Sequence, residues 1–159
     1  MSAIIRYREP MQRVEGSARI PAPPDEVFAY LADLDNVADW QGGVTAAHRT
    51  SDGPMGVGST ASVTRQLMGQ RLEAPLTVNE FEPPRRIGIG SEVSGVKAQA
   101  ILDLVPADEG RATELAFAME IRGSGLTSFM EPMIASAARG DIEASLERVR
   151  ARFATAESG

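Results

Sequence analysis

Residues 86–122 read RIGIGSEVSGVKAQAILDLVPADEGRATELAFAMEIR, and the fold turns on their alternation. Leu115, Phe117, Met119 and Ile121 share one parity, with Glu114 and Glu120 on the other. Ala98, Ala100, Leu102 and Leu104 stand against Lys97, Gln99 and Asp103. Ile87, Ile89, Ser91 and Val93 stand against Arg86 and Glu92. Successive side chains of a strand point to opposite faces, so this pattern predicts antiparallel strands with one apolar and one wet face. Turn formers separate the three runs at Ser94-Gly95 and at Ala107-Asp108-Glu109-Gly110.

Strand character extends upstream to residues 44–50, 59–67 and 70–81. A loop dense in Gly and Pro (51–58) and a turn at Met68-Gly69 join them, and Pro83-Pro84 breaks the chain before residue 86. The facing of 59–67 is open: Arg65 points inward if the strand is bulged, and Arg65 and Gln66 cannot both do so. Gln12–Ile20 supplies an earlier strand through Val14, Ala18 and Ile20. It is followed by Pro21-Ala22-Pro23-Pro24-Asp25-Glu26, a helix start. Proline is tolerated in a first turn, and the two acids sit against the positive end of the dipole. Val27, Phe28, Leu31 and Leu34 continue at helical spacing. A second short helix over 37–41 carries Trp40 and ends at Gly42-Gly43.

The chain closes with its longest helix, predicted over 126–154. Leu126, Phe129, Met130, Met133, Ile134, Ala137, Ala138, Ile142, Leu146, Val149 and Phe153 recur at three- and four-residue steps, while Arg139, Asp141, Glu143, Glu147, Arg148 and Arg150 occupy much of the rest. Pro132 predicts either a kink or a helix beginning near Glu131. About 28 residues span roughly 40 Å at 1.5 Å each. The expectation is an α+β domain over 12–154, with an extension at 1–11 and a tail at 155–159. A seven-stranded curved antiparallel sheet wraps around the long helix, and two short helices follow strand 1. A curved sheet and a straight helix cannot close everywhere, so a gap is expected between them.

Composition removes several function classes. A net charge of −6 argues against nucleic acid and against an anionic membrane surface. With no cysteine, disulfides, thiolate nucleophiles and Cys-ligated metals are out. His48 is the single histidine, so no metal and no cofactor are expected. No stretch approaches the ~20 apolar residues of a membrane span, and residues 1–13 lack a signal-peptide core, which points to the cytoplasm. The expected partner is a small hydrophobic molecule, with the chain a monomer or homodimer.

The segment 20–40 resembles the opening of the START-like superfamily, also called Bet v 1-like or SRPBCC, which includes polyketide cyclase/dehydrase-like proteins. The resemblance rests on a Pro-Asp-Glu-Val-Phe helix start at residues 24–28 and on the aspartate and tryptophan near the second helix. Gly56-Val57-Gly58-Ser59 and Asn79-Glu80-Phe81-Glu82-Pro83-Pro84-Arg85-Arg86 extend it, so that it covers about residues 12–154. It implies the helix-grip fold. The functions it implies are diverse, from lipid or polyketide binding to aromatase/cyclase catalysis.

Small residues and few aromatics favour a cavity over a filled core. On the sheet, Ile89, Ser91, Ala100, Leu102, Phe117 and Met119 are the expected wall. On the helices, Leu31, Trp40, Phe129, Met130, Met133, Ile134 and Ala137 complete it. Each has a plainer reading as core; Trp40 could cap a pocket or simply anchor the short helices. For chemistry the candidates are Arg65, Tyr30 and His48. Thr64 and Ser91 are further inward polar groups. A histidine base needs an orienting partner, and no acid is obviously placed to orient His48. A binding module and a polyketide aromatase/cyclase-type enzyme working in the same cavity are therefore both open.

Overall fold

The computed structural model describes residues 11–67, 69–93, 95–123 and 131–157. Seven strands, β1 (Gln12–Ile20), β2 (Val44–Arg49), β3 (Thr60–Leu67), β4 (Gln70–Glu82), β5 (Arg86–Val93), β6 (Val96–Ala107) and β7 (Ala112–Gly123), form one sheet. Their order is β1-β7-β6-β5-β4-β3-β2, with every pairing antiparallel. Two helices, α1 (Pro24–Ala32) and α2 (Val37–Trp40), follow β1 with a 3₁₀ turn between them. The last helix, α3, is described over Glu131–Glu157 and includes Pro132; the expected start at 126 lies outside the described residues. This is the helix-grip architecture. Among the described residues no helix is long and apolar enough to cross a membrane.

The strands alternate as read. Leu115, Phe117, Met119 and Ile121 are buried on β7, as are Leu102 and Leu104 on β6 and Ile87 and Ile89 on β5. Against them α1 sets Val27, Phe28 and Leu31, and α3 sets Ile142, Leu146 and Val149. Two bulges interrupt the register, one in β2 between Val44 and Ala46 and one in β4 between Val78 and Glu80. Such insertions bend a strand and sharpen its twist, which suits a sheet curving around a helix. The Gly88/Gly90 pair accommodates close approach. Asn79 on β4 and Gln99 on β6 exchange two amide hydrogen bonds of 2.8 Å across β5. A Cβ on Gly90 would lie 3.0 Å from the Asn79 amide nitrogen.

Contact between α3 and the rest is closest around its middle and C-terminal half. A Cβ on Gly16 of β1 would stand 3.2 Å from both Ile142 and Leu146. At the α2–β2 corner, Gly42 donates its N–H to the Ser145 hydroxyl at 2.8 Å, and that hydroxyl donates to the Asp141 carbonyl at 2.6 Å. A Cβ on Gly42 would fall 2.8 Å from that same backbone oxygen. Relief there requires moving a helix backbone rather than a side-chain tip. Gly42→Ala is therefore expected to destabilise the protein by about 1–3 kcal/mol. Gly140, helical, exposed and with nothing near its absent Cβ, is the control: Gly140→Ala should stabilise by roughly 0.5–1 kcal/mol. Urea denaturation of both variants checks the pair.

Candidate functional site

Where α3 runs toward its N-terminal end, the sheet beneath carries small or short side chains. A cavity of about 70 Å³ remains there. Its sheet wall is Ser91 and Val93 of β5, Val96 and Ala98 of β6, and Met119 and Ile121 of β7, with Leu72 and Ala74 of β4 and Arg65 of β3 beside them. Ile134, Ala137, Ala138 and Asp141 of α3 close it. Ala137 is exposed, so the cavity reaches solvent alongside it. A void of about 150 Å³ accommodates benzene, so this hollow takes a ring only if a wall side chain moves. A larger depression of about 560 Å³ lies on the outer face between Glu92, Lys97, Gln99 and Arg122. It is a shallow charged trough with no enclosed apolar wall.

Arg65 resolves the facing of β3. It shares a parity with the buried Ala61 and Val63, while Gln66 is exposed on the other. The bulge lies in β2, opposite Arg65, and β3 pairs with β4 without interruption. Among the described residues Arg65 makes no ion pair or side-chain hydrogen bond. Burial holds its pKa below the ordinary value, and the charge of Asp141 works against that fall. Asp141 is held above the usual carboxylate value, chiefly by burial, against the opposing pull of Arg65 and Arg148. The two groups are thus an under-solvated cation and anion on the wall of an apolar hollow. An oxygen acceptor brought there would find a donor that no side chain or carbonyl among the described residues satisfies.

The expected site residues divide. Ser91, Met119, Ile134 and Ala137 line the cavity. Leu31, Ile89, Leu102 and Phe117 fill the packed end instead, and Ala100 lies partly buried against that core. The void expected along the helix is therefore filled over most of its length. Met133 needs correcting: it is 58% exposed, because the inward face of α3 runs through Ile134, Ala135 and Ala138. Phe129 and Met130 lie outside the described residues. Trp40 is buried with its ring edge-on to Phe117 at 6.0 Å. Its indole N–H meets no acceptor among the described residues, an omission that costs roughly 1–3 kcal/mol.

Of the other chemical candidates, His48 is exposed on β2. Tyr30 packs edge-on to Phe153 at 5.7 Å under the Arg152 guanidinium, and forms no part of the cavity wall. Burial, then the charge of Asp39, pushes its phenol up. Thr64 takes the opposite parity to Arg65. Asp141, expected on the polar side of the helix, is half-buried. Its position three residues after Ala138 and one before Ile142 sets it on the border of the apolar stripe. The Gly42-Gly43 pair was the second signal. A Cβ on Gly43, where φ is +85°, would fall 2.8 Å from an Asp141 carboxylate oxygen. Among the described residues no cluster of acidic and histidine side chains could hold a metal ion.

Known proteins agree with this architecture. A Mycobacterium tuberculosis protein named Toxin Rv0910 is 24% identical over 145 residues, covering 91% of this chain and 99% of its own. The Zhui aromatase/cyclase from Streptomyces sp. R1128 superposes with a TM-score of 0.72 at 16% identity, over 91% of this chain and 94% of that one. A START superfamily protein from Mycobacterium smegmatis gives 0.73 at 15% identity, over 90% and 97%. At these identities the structural likeness establishes the fold alone. The family described as polyketide cyclase / dehydrase and lipid transport matches residues 11–154, and the chain belongs to it.

Proposed function

We propose that the protein binds a small, mainly apolar molecule between the N-terminal half of α3 and the sheet, with an oxygen of that molecule on Arg65. The observation that carries this reading is an arginine on the apolar face of the sheet, beside a hollow, with no ion pair or side-chain hydrogen bond among the described residues. Ser91 offers a hydroxyl on the same wall. Asp141 tempers the positive charge, which favours a carbonyl or phenol oxygen over a second full anion. The description of the family, polyketide cyclase / dehydrase and lipid transport, is in keeping with a mainly apolar ligand.

The second reading is an enzyme of the aromatase/cyclase type working in this cavity. It is favoured by Arg65 and Asp141 standing on one cavity wall, where a guanidinium and a carboxyl that holds its proton more tightly than in water can both meet a substrate oxygen. Binding is the stronger reading because no oriented base accompanies the pair among the described residues.

Titration calorimetry with 1-tetralone and with tetralin tests the binding reading. Arg65→Met is expected to weaken the ketone by about tenfold or more and to leave the hydrocarbon unaffected. Equal affinities of wild type and variant for the ketone would remove Arg65 from the site. Stability carries a second signature. Asp141 is raised above 3.8 by folding, so the folded state holds that proton more tightly than the unfolded chain. The contribution is complete below this unfolded value and is lost as pH rises through the folded one. Asp141→Asn has no such loss. Its stability relative to wild type should climb as pH rises through that window, in urea titrations between about pH 3 and 7. A difference that does not change with pH contradicts a buried ionising carboxyl.

A further inference from the structure

Trp40 carries a polar atom that packing leaves unexplained. The ring is 1% exposed, yet its N–H has no acceptor among the described residues. Buried tryptophan ordinarily finds a partner for that proton. Trp40 is linked to the cavity through residues next to its wall. The ring packs on Phe117, the next inward residue of β7 beside Met119, which is cavity wall. Gly42, just beyond α2, rests against Asp141, and Val44 pairs with Arg65. Asp141 and Arg65 are cavity wall as well. The indole thus has Phe117, a neighbour of the wall residue Met119, against its ring, and lies two and four residues before Gly42 and Val44, which meet the wall residues Asp141 and Arg65. Of those three, Met119 has an uncharged, unbranched and flexible side chain, suited to changing place when a ligand arrives.

We infer that the ligand site continues past Met119 to the indole N–H of Trp40, which takes a hydrogen-bond acceptor of the ligand. This deepens the binding reading above and rests on it. Displacement of Met119 supplies the volume that a ring needs beyond the present 70 Å³ or so. Arg65 takes one oxygen and Trp40 another. The ligand class is therefore a ring compound with two acceptor oxygens, not an acyl chain with a single polar end.

The chain has one tryptophan, so the indole N–H gives a single ¹H–¹⁵N cross-peak. In the full-length protein, 1,4-naphthoquinone is expected to shift that peak downfield and naphthalene to leave it in place. Trp40→Phe should lower the preference for the quinone over the hydrocarbon by about tenfold. If that variant does not fold, the wild-type spectrum decides alone. An indole peak that stays fixed while the Ile121 and Ile134 methyl signals titrate would overturn the inference. The site would then end at Met119 and the binding reading would stand. If no signal moves with either compound, both fall together.

Discussion

A straight helix can follow a curved sheet only along part of its length, and in this protein the seating is set by Gly16 and Ser145. Gly16 has no side chain, so Ile142 and Leu146 come down onto the backbone of β1. Ser145 is almost fully buried and ties the N–H of Gly42 to the carbonyl of Asp141. These contacts hold the middle and C-terminal half of α3. The sheet curves away under the other half, over Ser91, Ala98 and Met119, and the hollow lies there. The cavity follows from where the helix is fastened and from how little volume the opposing strands supply.

The same fastening explains the charges. Asp141 belongs to the seam with the Gly42-Gly43 turn, and that seam holds its carboxyl half out of water. Arg65 arrives by strand parity alone, two positions beyond Val63. Neither is satisfied by the other in an ion pair, and burial moves both away from their charged forms. A pair of this kind is poor value for stability. On the binding reading proposed above, an oxygen of the bound molecule would supply the hydrogen bond that Arg65 lacks among the described residues.

Most of the architecture was legible because its signals are local. Alternation over 86–122 and the Pro-rich start of α1 each depend on a few neighbouring residues. The site was less legible because it depends on phase and on distance. One residue along a helix is a rotation of 100°, so Met133 and Ile134 look equivalent in a list of apolar positions while only Ile134 faces inward. Arg65 was ambiguous for a related reason: it faces inward with no bulge in β3, and the irregularity lies in its partner β2. Asp141 was hidden by its charge, although its place beside Ile142 and the double glycine of the α2–β2 corner both pointed inward. Leu31, Leu102 and Phe117 were apolar, inward and large enough to fill the space they were expected to leave.

A crystal pressurised with xenon tests the central claim most directly, because xenon enters dry apolar hollows and ignores charge. The account requires a xenon atom between Met119, Ile121, Ile134 and Ala138. Density at that position would show that the oily space persists after folding. A well-derivatised crystal with xenon only at other positions would contradict it, leaving the fold without a ligand chamber.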